Sequence, residues 1–256
     1  MSANSFTILG SSSGLPQPNR ACSGYLLKTG ESLSLIDCGG GVCQSFLRCG
    51  FDPLKLDRVF ISHTHSDHVC ELSLVIQMLH VLRSKRRLEL YLPEEFVQSF
   101  KDWMIAVYQL PGRIKPDIQV RGYTEGVVYD KEFRVTAYSN THHAGVADDV
   151  TRLGIANKLE CNSLRFDTDS GSVFYSADLG SFEDIRSHLN SLDYAIVEST
   201  HIDLNDFFEF AKNSDVKHWI LTHLGDEQQV EELKQQIMSA GLLNVVTAED
   251  GMALDL

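Results

Sequence analysis

The segment His63-Thr64-His65-Ser66-Asp67-His68 constrains this chain more than any other stretch of it. It directly follows a strand-like run, Arg58–Ser62, and leads into a helix-period segment, His68–Arg83. A metal ion requires imidazole nitrogens and carboxylate oxygens that converge from a rigid support. Alternate residues at a strand end lie on one side, so His63 and His65 can share one ion. The turn into a helix lets Asp67 and His68 face a second. In a chain with 10 histidines, H-x-H-x-D-H is expected by chance only about 0.001 times, so accident does not account for it.

Composition narrows what surrounds this motif. The 256 residues suffice for one large domain, and 43% apolar with 22% charged residues supports a sizeable core without disulfides. The formal charge of −13 argues against a chain wrapped along its length by nucleic acid, which would want a basic face. It is compatible with an acidic site filled by cations. The six cysteines include no C-x2-C pair, so neither a zinc knuckle nor a dithiol redox motif is present. The N-terminal stretch has no basic region followed by an apolar one, and the apolar segment Leu72–Leu82 is too short to cross a bilayer. The expectation is a reduced, cytoplasmic protein that does not span a membrane.

Short β-branched and aliphatic runs bounded by Gly, Asp or Asn predict strands at Ser5–Leu9, Gly24–Lys28, Leu33–Asp37, Arg58–Ser62, Leu88–Leu92, Phe133–Tyr138, Ser172–Ser176, Tyr194–Val197 and His218–Thr222. Helix-period segments lie at Gly41–Cys49, His68–Arg83, Pro93–Tyr108, Ser181–Asn190, Leu204–Asn213 and Gln228–Ala240. Early strands follow one another, whereas later ones alternate with helices. That mixture predicts sheets covered by helices in a single α/β domain over residues 1–256. Trp103 and Tyr108, at helical spacing from Phe96 and Phe100, read as packing residues, and Cys70 as a small core residue. The basic run Arg83–Arg87 reads as a solvated helix C-terminus.

The histidine motif at the end of a hydrophobic strand resembles the metallo-β-lactamase superfamily. Leu9-Gly10, Gly14-Leu15-Pro16 and Arg20 resemble the opening strand and loop of its ribonuclease Z branch. Leu35-Ile36-Asp37-Cys38-Gly39 is similar to that branch's turn in which an aspartate braces the metal loop, and Glu249-Asp250-Gly251-Met252 to the closing segment of related phosphodiesterases. The resemblance implies an αββα sandwich, two packed mixed β-sheets flanked by helices, with metals at one edge.

The same resemblance supplies the remaining ligands. His142 matches the third-motif histidine, with adjacent His143 as its competitor. Asp178 in Phe174-Tyr-Ser-Ala-Asp178 resembles the bridging aspartate, with Ala177 where the family has glycine, and His223 in Leu221-Thr-His223 the last histidine. With His63, His65, Asp67 and His68 these imply two divalent metal ions, zinc first, with manganese or iron as alternatives. Glu198, followed by Ser199-Thr200-His201, resembles the family's acid pair, in which the carboxylate orients a histidine that delivers a proton. Capping of a helix near Asp203 is the competing role for His201.

One departure shapes the functional expectation. The ribonuclease Z branch carries a long RNA-gripping arm between the third-motif histidine and the bridging aspartate. Here the interval from His142 to Asp178 is short and holds Asp148, Asp149, Asp167 and Asp169. Gripping a polyanion requires the opposite sign. The resemblance therefore implies a phosphodiesterase of a small-molecule substrate, with Asp67, His201 and Glu198 as catalytic residues and hydroxide held between the two metals as nucleophile. A carboxyl-ester, lactone or thioester hydrolase, and a ribonuclease Z-type transfer-RNA 3′-endonuclease, stand as alternatives. A homodimer is left open.

Overall fold

The computed structural model describes residues 4–256. The chain divides into two compact units, one running to Tyr123 and including Glu249–Asp255, the other spanning Thr124–Ala248 with Leu256.

In the first unit, strands β1 (Ser5–Gly10), β2 (Gly24–Thr29), β3 (Ser32–Ile36), β4 (Leu56–Phe60), β5 (Arg87–Pro93), β6 (Asp117–Tyr123) and the last strand, β14 (Ala253–Asp255), form a sheet of order β14-β1-β2-β3-β4-β5-β6. The first pairings are antiparallel and those from β3 to β6 parallel. Helices α1 (Val42–Arg48), α2 (Ser66–Val69), α3 (Leu72–Val81) and α4 (Phe96–Ala106) accompany it. Helix α3 buries Leu72, Val75, Ile76 and Leu79, an i, i+3, i+4, i+7 stripe, in one core with Leu35, Val59 and Leu90.

The segment His68–Arg83 is two helices rather than one. The chain breaks at Cys70-Glu71 because the Glu71 carboxylate accepts from the backbone N–H of Gly41 (2.8 Å) and Cys43 (2.7 Å) at the start of α1. An acidic group there satisfies orphan donors and complements the dipole. Cys70 is exposed as a result, not a core residue, and Tyr108 is 86% exposed just beyond α4 rather than packed. Arg86 pairs with Asp57 and Arg87 with Asp117, both exposed, as expected of a solvated basic run.

In the second unit, β7 (Gly126–Asp130), β8 (Arg134–Ser139), β9 (Asn162–Asp167), β10 (Ser172–Tyr175), β11 (Tyr194–Glu198), β12 (His218–Thr222) and β13 (Val245–Thr247) form a sheet of order β13-β12-β11-β10-β9-β8-β7. Strands β10 to β13 are parallel, and β9 runs antiparallel to both β8 and β10. Strands β8, β10, β11 and β12 therefore point the same way, and the loops after them emerge at one edge. Four helices complete the unit: α5 (Ala147–Leu153), α6 (Glu183–Arg186), α7 (Leu204–Asn213) and α8 (Glu227–Ala240). The segment Ser181–Asn190 forms only the short α6. Helix α8 opens on a capping box between Asp226 and Gln229 and ends on Gly241 at φ 71°.

Candidate metal centre

Two adjacent parallel strands set up the site in the first unit. Ile36 of β3 stands opposite Phe60 of β4, so Asp37 and Ser62 leave neighbouring strand ends together. Asp37, fully buried, adopts φ 54°, a left-handed conformation that a non-glycine residue holds only where its surroundings fix it. Its Oδ1 accepts from the Ser62 N–H (2.7 Å), and its Oδ2 from the Ser62 hydroxyl (2.7 Å) and from His68 Nδ1 (2.8 Å). The Ser62 hydroxyl in turn lies 3.1 Å from His63 Nδ1. Because that hydroxyl spends its proton on Asp37, it accepts from the His63 ring. One carboxylate thus sets both rings, His68 directly and His63 through Ser62.

The His63 ring lies 4.9 Å from that of His65 and 4.1 Å from that of His68, and Asp67 Oδ2 stands 3.5 Å from His68 Nε2. The motif is drawn tightly onto the turn after β3: the Cys38 N–H donates to His68 O (2.7 Å) and the Glu71 N–H to Cys38 O (2.9 Å). Gly39 is required by this approach, since a Cβ there would sit 1.9 Å from the Asp67 carbonyl oxygen. Burial and the nearby Asp67 charge push the Cys22 thiol up, so it stays a neutral neighbour.

In the second unit the loops at the common sheet edge carry His142, Asp178, His201 and His223. His142 begins a short 3-10 turn after β8, seated by its N–H on Asn140 Oδ1 (3.1 Å), and its Nδ1 faces Leu179 O at 3.3 Å. Burial lowers its pKa despite the opposing charge of Asp178, so the neutral, ligand-ready ring is favoured. His223, at φ 56°, has Nδ1 3.1 Å from the Thr200 hydroxyl, whose own proton goes to His223 O (2.7 Å). Asp178 follows Ala177 at φ 52°; the methyl group held in this left-handed position costs about 1 kcal/mol relative to glycine. His143 is buried, with its ring 5.2 Å from that of His142.

These contacts test whether a cation suits the residues. With their Nδ1 protons donated, His142 and His223 present Nε2 lone pairs, at 3.6 and 3.4 Å, to the same Asp178 Oδ2. Those distances are too long for good hydrogen bonds, and lone pairs facing lone pairs in a buried place need a cation between them. The Asp67 and His68 pair in the first unit has the same form. The donor set, nitrogen and carboxylate oxygen without sulfur, fits zinc, manganese or iron.

Glu198, fully buried at the end of β11, organises the neighbouring loop. Its Oε2 accepts from the N–H groups of Thr200 (2.6 Å) and His201 (2.9 Å), and its Oε1 lies 3.2 Å from His201 Nδ1 and 3.3 Å from the Leu179 N. His201 remains 37% exposed through its side chain. It does not cap α7; Asp203 does, accepting from the Asn205 N–H at 2.8 Å. The His201 ring stands 5.0 Å from that of His142 and 5.5 Å from that of His223.

Sequence reasoning passed over Ser62, Thr200 and the Leu179 carbonyl. The first two carried a signal, since each hydroxyl directly precedes a site histidine. The carbonyl had none.

Among the described residues, no helix is long and apolar enough to cross a membrane. Ribonuclease Z of Nostoc punctiforme is 27% identical over 172 residues, 65% of this chain and 50% of that protein, so the chain matches about half the length of this relative. The metallo-hydrolase YhfI of Bacillus subtilis is 25% identical over 234 residues, 85% of this chain and 86% of its own. The crystal structure of YhfI superposes with a TM-score of 0.78, 21% identity and 99% of both chains covered. A diphosphatase from the PhnP family superposes at 0.75, with 18% identity, over 99% of this chain and 98% of its own. These likenesses give the chain the metallo-β-lactamase fold, two mixed sheets flanked by helices. Residues 34–234 match the model of the β-lactamase superfamily domain, and the chain belongs to that superfamily.

Proposed function

We propose that this protein is a dinuclear metal-dependent hydrolase that cleaves a phosphodiester in a small substrate. His63, His65, Asp67, His68, His142, Asp178 and His223 would hold two divalent ions, with zinc the best fit to the donors. When bound, such ions supply hydroxide at neutral pH and neutralise charge on the phosphoryl oxygens. The observation that carries the reading is the aim of His142 and His223 Nε2 at one oxygen of Asp178, with both Nδ1 atoms engaged elsewhere.

The chain's own residues supply the rest of the chemistry. Asp67 orients the attacking water and takes its proton. Glu198 fixes the His201 ring with Nδ1 toward the carboxylate, which leaves Nε2 as the atom that delivers a proton to the departing oxygen. A buried carboxylate behind a part-exposed imidazole supports this role, because the ring can meet substrate while its support stays dry. The segment after His142 consists of the 3-10 turn, α5 with Asp148 and Asp149 in its first turn, and β9. That acidic composition supports a small substrate over a gripped RNA.

The test is a substrate panel on metal-analysed protein. Bis(p-nitrophenyl) phosphate and small natural diesters should turn over, and precursor transfer RNA should be cut poorly. Rapid opening of lactones or thioesters with no diester turnover would move the assignment to carboxyl-ester hydrolysis. Efficient 3′ cleavage of transfer RNA would overturn the small-substrate reading.

A further inference from the structure

A cavity of about 660 Å³ in the first unit lies between α4, the segment 109–116 and the edge strand β6. Its volume is in the range that encloses small organic ligands. The walls are mainly apolar, with Phe100 and Met104 from α4, Ile114 from the segment, and Ile118 and Val120 from alternate positions of β6. None of the proposed metal ligands lines it.

Two features say what kind of molecule would fit. Gln109, 7% exposed, lines the cavity; its amide nitrogen donates to Ser73 O at 2.7 Å, which fixes the amide's orientation. Its buried Oε1 then has no hydrogen-bond donor in the protein, a costly state for an acceptor. Charged side chains also line the cavity, two of them acidic. Asp102 is engaged by Gln98 and Asp117 by Arg87 and Gln119. Lys101 and Lys115, which also line the cavity, have no acidic partner among the described residues, in a chain whose net charge is −13.

We propose that this cavity binds an amphipathic carboxylate that carries an amide N–H, the chemistry of an N-acyl amino acid. The acyl chain would lie against Phe100, Met104, Ile118 and Val120. The carboxylate would sit between Lys101 and Lys115, and the amide N–H would donate to Gln109 Oε1. Each part answers one feature of the walls: apolar area, two lysines without an ion-pair partner and an unfilled acceptor.

Titration calorimetry on the whole protein, with probes held below their micelle concentrations, tests the assignment. N-decanoylglycine should bind saturably, one molecule per chain. N-decanoylsarcosine, whose amide lacks the N–H, should bind several-fold more weakly, and decyltrimethylammonium not at all. The double variant Lys101→Glu/Lys115→Glu, altered only at exposed positions, should fold normally and lose about tenfold or more in affinity. Absence of saturable binding overturns the proposal. So does equal affinity for the cationic amphiphile, for the N-methylated probe, or in the double variant.

Discussion

Asp37 Oδ2 accepts hydrogen bonds from two groups, the His68 ring at 2.8 Å and the Ser62 hydroxyl at 2.7 Å, and the second passes its orientation on to His63. Two histidines of the metal motif therefore take their geometry from a residue well before them in sequence. Asp37→Asn places an amide N–H₂ where one of these donors must be accepted. Metal affinity should fall about 10- to 100-fold, measured by competition with a chromogenic chelator. The metal-free protein should also lose about 1–3 kcal/mol in denaturant unfolding, because a buried donor is left unmatched.

The hydroxyls of Ser62 and Thr200 each receive the Nδ1 proton of a proposed ligand, His63 and His223 respectively. Ser62→Ala and Thr200→Val keep most of the local volume and remove that acceptor, together with the hydroxyl's own bond to Asp37 or to His223 O. Each should weaken metal binding while circular dichroism stays unchanged, and nitrogen-15 shifts should show the affected ring losing its fixed tautomer. Unaltered tautomers in both variants would contradict the positioning role.

His201→Ala should keep its metal content and fold, yet lose turnover by about 10²–10⁴-fold on diesters with alkoxide leaving groups. The deficit should shrink for p-nitrophenolate, which departs readily without a proton. Glu198→Gln is a less clean probe than its position behind His201 suggests. Its carboxylate also receives the Thr200 and Leu179 N–H groups, so thermal stability should fall as well. Loss of bound metal on replacing His201, or an equal loss for every leaving group, would remove it as the acid.

Asp250 accepts from the Ser11 N–H, the Ser11 hydroxyl and the Ala21 N–H, but burial outweighs these bonds and raises its pKa above the ordinary 3.8. The folded state thus holds this proton more tightly than the unfolded chain. Its contribution to stability is largest at low pH and is lost as pH rises through the folded pKa. The difference in unfolding free energy, wild type minus Asp250→Asn, should therefore decrease from pH 3.5 upward. Urea titrations at several pH values measure it, and an increasing difference would contradict the sign.

How far the sequence could be read depended on whether the cause was local. Helix α7 begins and ends where its pattern predicts, because Asp203 caps it and Phe207, Phe208 and Ala211 give it a buried stripe. The histidine motif was legible because its residues follow one another directly after one strand end. Strand β6 was missed because its outer edge is unpaired in the sheet and its sequence, Asp117-Ile-Gln-Val-Arg-Gly-Tyr123, is half polar. Helix α5, short and without a fully buried residue, gave no apolar period to find. The break at Cys70-Glu71 depends on a contact with α1 that no local pattern encodes. The strained conformations of Asp37, Ala177 and His223 belong to the site rather than to propensity.

The most direct test of the account is a metal titration of chelator-stripped protein with bis(p-nitrophenyl) phosphate as substrate. Turnover should be absent without metal, rise with added zinc or manganese, and level off at about two equivalents per chain. Turnover that persists in the stripped protein, or a plateau at one equivalent with the second ion unbound, would contradict a dinuclear metal-dependent phosphodiesterase.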